Sequence, residues 1–131
     1  MDAVLDSGGL TAWASPRPPA QLLELLEVVA ASGGVVVVPT VTVVESTTGR
    51  QREDASVNHR LRRAFPDPCT LERARQAARL RFRCDRDVSA VDAVVAATTA
   101  GRDHAAVVTS DVDDLRALLV TADVLQTVIG V

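Results

Sequence analysis

Apolar runs and helix-period segments alternate along the chain. Four short runs rich in Val, Ile, Ala or Thr are bounded by polar or turn-forming residues, so each predicts a buried β-strand. These runs cover residues 3–5, 35–38, 106–109 and 127–129. Between them, apolar residues recur every three or four positions, as on one face of a helix. Such helices are predicted near residues 10–14, 22–30, 71–84, 89–100 and 111–119.

The segment after Pro39 has conflicting propensities. Residues 40–44 are β-branched enough for a strand, whereas Pro39 suits the first turn of a helix. Because a proline pre-sets the helical φ angle, we predict a helix through about Gly49.

Two arginine-rich helices are predicted in the middle of the chain. Residues 53–65 carry apolar side chains at every fourth position, which indicates an exposed helix with one narrow buried stripe. The members of that stripe are Val57, Leu61 and Phe65. In the helix at 71–84, the same spacing predicts that Leu71, Ala74, Ala78 and Phe82 face inward and that Arg75, Arg79 and Arg83 face outward.

Strands that alternate with helices across short turns predict an α/β fold in three layers, with a mostly parallel central sheet of about four to five strands. The 131 residues fit one domain, spanning 1–131, with a single functional site. In such sheets functional groups collect beyond the carboxyl ends of the strands.

Composition narrows the chemistry. The chain carries a net charge of −3, so any surface that binds phosphate must be local. All 14 basic residues are arginines, which excludes mechanisms that need a lysine amine. Cys69 and Cys84 form no metal-binding pattern and are interpreted as reduced thiols. No export signal or membrane-spanning run is evident, so a cytoplasmic location without membrane attachment is expected.

Four acids are candidates for that site, and each has an ordinary structural explanation. Asp6 and Asp111 each suit the cap of the helix that follows them. Asp92 stands three residues after Ser89, as in a capping box, and Glu45 fits an exposed helix charge. Taken one at a time, these explanations are at least as good as a catalytic role.

The combination of these acids favours a metal site. Asp6 and Asp111 directly follow predicted strands, so both lie at the same edge of a parallel sheet, and Asp92 can approach from the start of its helix. Like charges about 4 Å apart repel by about 4 kcal/mol at an effective dielectric of about 20. A divalent cation removes this repulsion, and Mg²⁺ prefers a few carboxylates together with water.

Four motifs in register resemble those of the PIN domain, specifically of VapC-type toxins from bacterial toxin–antitoxin pairs. They are the segments 4–10 (VLDSGGL), 44–45 (VE), 91–96 (VDAVVA) and 108–115 (VTSDVDDL). Each is weak alone, but their order and intervals agree over nearly the whole chain. The resemblance implies a PIN-like domain with metal-dependent endoribonuclease activity, a homodimer, and a VapB-like antitoxin that blocks the site.

The resemblance also implies roles for individual residues. Asp6, Asp92 and Asp111 would hold Mg²⁺ or Mn²⁺, and Glu45 would orient the attacking water or a second metal ion. Asp113 would be an auxiliary metal ligand, and Thr109 would steady the pocket. Arginines are needed near such a negative pocket if it is to accept the RNA backbone. The candidates for this contact are Arg50, Arg75 and Arg79.

Other classes of protein fit the sequence less well. A receiver-type phosphorylation domain needs a lysine, and a D-x-D phosphatase needs an aspartate where Gly8 stands. No G-x-G-x-x-G follows the first strand, so a dinucleotide fold is disfavoured. The remaining alternative is a catalytically silent PIN-like module that binds RNA or a partner protein. Activity measurements distinguish it from the nuclease.

Overall fold

The computed structural model describes all 131 residues, which form five strands and seven helices. The strands are β1 (Asp2–Leu5), β2 (Val36–Pro39), β3 (Phe65–Asp67), β4 (Ala105–Thr109) and β5 (Thr127–Gly130). The helices are α1 (Ser7–Ala14), α2 (Ala20–Ala31), α3 (Thr40–Ser46), α4 (Ala55–Leu61), α5 (Leu71–Arg83), α6 (Ala90–Ala100) and α7 (Val112–Thr121). None of these helices combines the length and apolarity that a membrane span requires.

All five strands belong to one parallel sheet in the order β3-β2-β1-β4-β5. The central strand β1 pairs on both sides, with Ala3 opposite Val36 of β2 and Ala106 of β4. The predicted α/β class and parallel sheet are therefore confirmed, with five strands. Because β1 and β4 are neighbours, the residues that follow them lie close together at one edge of the sheet.

The sheet separates two apolar cores. Side chains alternate along a strand, so Val4 enters one core while Ala3 and Leu5 enter the other. The first core contains the apolar side of α6, from Ala93 to Ala97, and the second contains Trp13 of α1. Each strand buried on both faces supplies the near-continuous apolar run seen in the sequence.

The segment after Pro39 is a helix, as predicted, although it ends at Ser46 rather than near Gly49. Pro39 closes β2, and its carbonyl oxygen accepts a 2.8 Å hydrogen bond from the buried hydroxyl of Thr42. Gly49 lies beyond the helix with a φ of +81°, a conformation that glycine adopts without a steric cost. The β-branched residues are thus accommodated in a short helix of two turns.

The helix predicted for residues 53–65 is wrong in its last four residues. The helix α4 ends at Leu61, and Phe65 is the first residue of β3, where it pairs with Val37 and is half-exposed. Proline has no N–H to donate, so Pro66 confines this segment to an edge strand. The guanidinium of Arg102 lies 5.9 Å from the centre of the Phe65 ring and covers it.

The buried face of α5 also differs from the prediction. Leu71 and Phe82, expected to face inward, are 67% and 90% exposed, and Ala74 and Ala78 are exposed as well. The side that packs on α6 centres on the buried Ala77, with Leu80 partly buried beside it. Small alanines permit a close approach between helices. The face that contains Ala77 therefore packs on α6 in preference to the stripe that contains Leu71 and Phe82.

Candidate metal centre and the adjoining cleft

Asp6 lies between the end of β1 and the start of α1, and its carboxylate is buried. The backbone N–H of Gly9 donates to its Oδ1 at 2.7 Å, so Asp6 does cap the helix. Burial raises the pKa of Asp6, and hydrogen bonds from the Thr109 hydroxyl and from backbone N–H groups oppose that effect. One carboxylate oxygen serves the cap, which leaves the other for a second partner.

Asp111 caps α7 at the end of the neighbouring strand, and Asp92 lies in the first turn of α6. Together with Asp114, in the first turn of α7, they form a group of three carboxylates whose oxygens all lie within 4.8 Å of one another. The Asp92 N–H donates to Ser89 Oγ at 3.0 Å, which fixes the start of α6 beside the group. The starts of two helices that are distant in sequence, α6 and α7, therefore meet at one point.

The negatively charged carboxylates of this group repel one another. Partial burial raises the pKa of Asp92, and the negative charges of Asp111, Asp6 and Asp114 raise it further. Asp6 is therefore close enough for its charge to act on the three-carboxylate group. A set of hard oxygen donors under mutual repulsion fits a divalent cation such as Mg²⁺ or Mn²⁺.

Thr109 connects two of the acids. Its buried side-chain oxygen accepts a 2.8 Å hydrogen bond from the backbone N–H of Asp111, and its hydroxyl donates to Asp6. Because Thr109 is the last residue of β4, this connection holds the ends of the two neighbouring strands in a fixed relation.

Glu45 and Asp113 lie outside the three-carboxylate group. Glu45 is exposed on α3 and borders a groove that it shares with Ser7, Gly8 and Ser110, which are the neighbours of Asp6 and Asp111. Asp113 is exposed and lines a separate cleft beside α7. Asp114 takes the place near Asp92 and Asp111 that the sequence analysis gave to Asp113.

Arg86 is a further residue at this site that the sequence analysis did not select. Its Nε and Nη2 atoms contact Oδ1 of Asp114 at 2.8 and 2.6 Å. It makes the only ion pair to the three-carboxylate group. The bond to Asp114 and the negative charges of Asp113 and Asp111 raise the pKa of Arg86, so it stays charged. Nothing in the local sequence distinguishes Arg86 from the other arginines nearby.

The three arginines expected to bind RNA occupy different surroundings. Arg50 is exposed in the loop after α3 and pairs with Glu53 at 3.1 Å. Arg75 is exposed on α5. Arg79 borders a groove between α5 and the end of α7, which it shares with Arg83.

The chain was compared with family models, with curated proteins and with solved structures. No family model and no curated protein matches it. It is similar to a chain of VapBC2 from Rickettsia felis, solved bound to a DNA fragment from their promoter, with a TM-score of 0.73, 12% identity and 98% of each chain covered. It is also similar to a chain of FitAcB from Neisseria gonorrhoeae, with a TM-score of 0.65, 20% identity, and 98% of this chain and 96% of that chain covered. At these identities the likeness establishes a shared fold over nearly the whole chain.

Proposed function

We propose that this protein is the toxin of a toxin–antitoxin pair, a metal-dependent endoribonuclease with a PIN-like three-layer fold. The observation that carries the proposal is the group formed by Asp92, Asp111 and Asp114 beside the buried Asp6, at the carboxyl edge of a parallel sheet. The two similar structures support it, because VapBC2 and FitAcB share the fold along almost the full chain.

The carboxylates suit a divalent cation. Asp6, Asp92 and Asp111 would hold Mg²⁺ or Mn²⁺, directly or through water, with Asp114 as a further oxygen donor on the α7 side and Asp113 at the margin. When bound, the cation supplies an electrophile for the scissile phosphate and lowers the pKa of a water molecule. The chain contributes the geometry, since helix caps and strand ends hold these side chains in place.

The remaining candidate residues act around the acids. Thr109 keeps Asp6 and Asp111 in a fixed relation through its two hydrogen bonds. Glu45, across the groove from Ser7 and Ser110, would orient the attacking water. Arg50, Arg75 and Arg79 would meet the RNA backbone farther from the acids.

A VapB-like antitoxin has a suitable surface on the face of the sheet that bears the second core, the one that contains Trp13. A groove of about 730 Å³ runs between α1, α2 and the end of α4, and nine of its 14 lining residues are apolar. Leu23, Val35 and Phe65 are between 42% and 50% exposed there, and three arginines border the groove against one glutamate. We propose that an acidic segment with apolar side chains, supplied by the antitoxin, occupies it.

The expected homodimer also has a candidate surface. Leu71 and Phe82 on α5 are large apolar side chains with 67% and 90% exposure. Burial of such side chains between two copies would stabilise a dimer. Sedimentation of the wild type and of Phe82→Ser tests this, because the variant should shift the equilibrium toward the monomer.

Cleavage of RNA by the purified protein tests the proposed activity. The wild type should cut RNA with Mg²⁺ or Mn²⁺ and stop in EDTA, and Asp6→Asn and Asp92→Asn should lower kcat by about a hundredfold or more. Asp103→Asn is the matched control, since Asp103 is an exposed aspartate at the opposite end of β4. Cleavage that persists in both site variants indicates a contaminant, and RNA binding without cleavage indicates the silent module.

A further inference from the structure

A cleft beside α7 adjoins the three-carboxylate group, and its charge differs from that of the acids. Its volume is about 490 Å³, and arginines outnumber aspartates among its lining residues by three to two. The arginines are Arg83 at the end of α5, Arg86 in the following loop and Arg116 on α7. Two parts of the chain, residues 83–86 and α7, therefore contribute guanidinium groups to one depression beside the candidate metal centre.

Arg86 connects this cleft to the acids. Both of its contacts, from Nε and Nη2, go to one oxygen of Asp114, a residue of the three-carboxylate group. The Asp114 side chain is only 15% exposed, whereas that of Arg86 is 49% exposed. A guanidinium has five N–H donors, so this pairing leaves donors of Arg86 free on its exposed side. Asp114 thus holds the arginine in place without using all of its hydrogen-bonding capacity.

An RNA strand that reaches the acids must bring further phosphates close to a strongly negative site. A cation bound to the carboxylates offsets part of that charge at the reacting phosphate only. The adjacent phosphates need their own partners, and the planar fork of arginine matches phosphate oxygens better than a point charge does. Arg86 is the residue in ion-pair contact with the acids that can supply this partner.

We propose that Arg86, positioned by Asp114, binds the RNA phosphate next to the scissile one, and that Arg83 and Arg116 extend this contact along the strand. The inference rests on the proposed function. It adds the direction in which the RNA strand runs as it leaves the three-carboxylate group. Asp85 and Asp113, the two aspartates of the cleft, lower its net positive charge and so limit non-specific binding of polyanions. The lane formed by Arg83, Arg86 and Arg116 is separate from Arg50 and Arg75, which line no part of this cleft.

Binding of a short fluorescent single-stranded RNA, measured by anisotropy in EDTA at low salt, tests the lane without cleavage or metal. Arg86→Gln should weaken binding by about fivefold to tenfold and lower the slope of log affinity against log salt by about 0.7 for the lost phosphate contact. Arg86→Lys should recover part of the affinity, because it keeps the charge and loses the fork. The matched control is Arg17→Gln, an exposed arginine between α1 and α2.

Two results with the variants would overturn the inference. One is an Arg86→Gln variant that binds with the affinity and salt slope of the Arg17→Gln control. The other applies if Arg86→Gln does not fold: the double variant Arg83→Gln, Arg116→Gln then decides, since neither residue makes an ion pair, and unchanged binding rejects the lane.

Failure of the lane and failure of the nuclease proposal give different results. If the wild type cleaves RNA and Arg86→Gln binds normally, the nuclease proposal stands and the lane is wrong. If the wild type binds RNA but never cleaves it, while Arg86→Gln binds weakly, the lane stands and the nuclease proposal is wrong. A wild type that neither binds RNA in this assay nor cleaves it with Mg²⁺ or Mn²⁺ overturns both.

Discussion

Gly9 lies directly against the carbonyl oxygen of Val108. A Cβ atom on Gly9 would stand 2.6 Å from that oxygen, closer than such atoms approach in proteins. The same oxygen accepts a 3.1 Å hydrogen bond from the backbone N–H of Asp6, and Gly9 in turn donates to the Asp6 carboxylate. The close contact between α1 and β4 is therefore part of what places Asp6 beside the other acids.

We expect Gly9→Ala to lower stability and to displace Asp6. The added methyl group meets backbone rather than a movable side chain, so α1 must shift away from β4, at a cost of about 1–3 kcal/mol. Thermal unfolding checks the prediction, with Thr11→Ala, an exposed position on the same helix, as control. A Gly9→Ala protein as stable as the control would show that the contact is less tight than described.

The Asp92→Asn variant should be more stable than the wild type when no divalent cation is present. Burial and three nearby carboxylates disfavour the charge of Asp92. Removal of that charge should contribute about 1 kcal/mol after allowance for solvent screening, or about 4 °C in Tm. Added Mg²⁺ should then stabilise the wild type and leave the variant almost unchanged, because the cation binds the folded state through this group.

Differential scanning fluorimetry in EDTA and across a Mg²⁺ series measures both effects. The Asp103→Asn control, at the opposite edge of the sheet, should keep the Tm and the Mg²⁺ response of the wild type. A wild type and an Asp92→Asn variant that respond equally to Mg²⁺ would argue against a cation at this group.

The sequence predicts the carboxyl edge of the sheet well because the decisive patterns there are local. An apolar run followed at once by Asp6, or after one intervening serine by Asp111, places both acids at strand ends, whatever the details of packing. The strand β3 could not be predicted, since it has three residues, includes Pro66, and owes its conformation to pairing with β2. Its edge position is a tertiary property that no local pattern encodes.

Two other differences between the prediction from sequence and the structure also arise from tertiary packing. The stripe of α5 that contains Leu71 and Phe82 is as periodic as the buried one, so the choice between the two faces depends on the fit against α6. Asp113 and Asp114 are adjacent on α7, and a single step of about 100° around the helix decides which one meets Asp92. Sequence spacing alone does not settle a choice between neighbouring carboxylates.

Asp114 should matter more than Asp113 for metal binding. Oxygens of Asp114 lie within 4.8 Å of those of Asp92 and Asp111, whereas Asp113 lines the adjoining cleft. We expect Asp114→Asn to weaken Mn²⁺ binding by about tenfold or more, and Asp113→Asn to weaken it by less than about threefold, since it lowers only the nearby negative charge. The two variants are matched in charge and in position on the helix.

Titration calorimetry or the electron paramagnetic resonance signal of free Mn²⁺ gives both affinities without any need for activity. The reverse order, with Asp113→Asn the weaker binder, would restore Asp113 as the auxiliary ligand and place Asp114 in a role confined to holding Arg86.

Asp54 should stabilise the loop between α3 and α4 in a pH-dependent way. Its buried carboxylate accepts hydrogen bonds from the backbone N–H of Thr48 at 2.8 Å, from that residue's hydroxyl at 3.1 Å, and from the N–H of Gly49 at 2.7 Å. The bond from the Thr48 N–H is the largest cause that lowers the pKa of Asp54 below its ordinary value. A lowered folded-state pKa means that the carboxylate contributes its full stabilisation above the unfolded value of about 4.

The stabilisation is lost as the pH falls through the lowered folded-state pKa, because the proton that Asp54 then takes up removes its negative charge and weakens its oxygens as hydrogen-bond acceptors. We therefore expect Asp54→Asn to unfold a few degrees below the wild type at neutral pH, and the difference in Tm to shrink in acid below about pH 4. Glu53→Gln is the matched control, since that exposed side chain pairs only with Arg50 and should leave the Tm unchanged at both pH values. A Tm difference for Asp54→Asn that stays constant from neutral to acid pH would mean that the shape of the side chain, and not its charge, holds the loop.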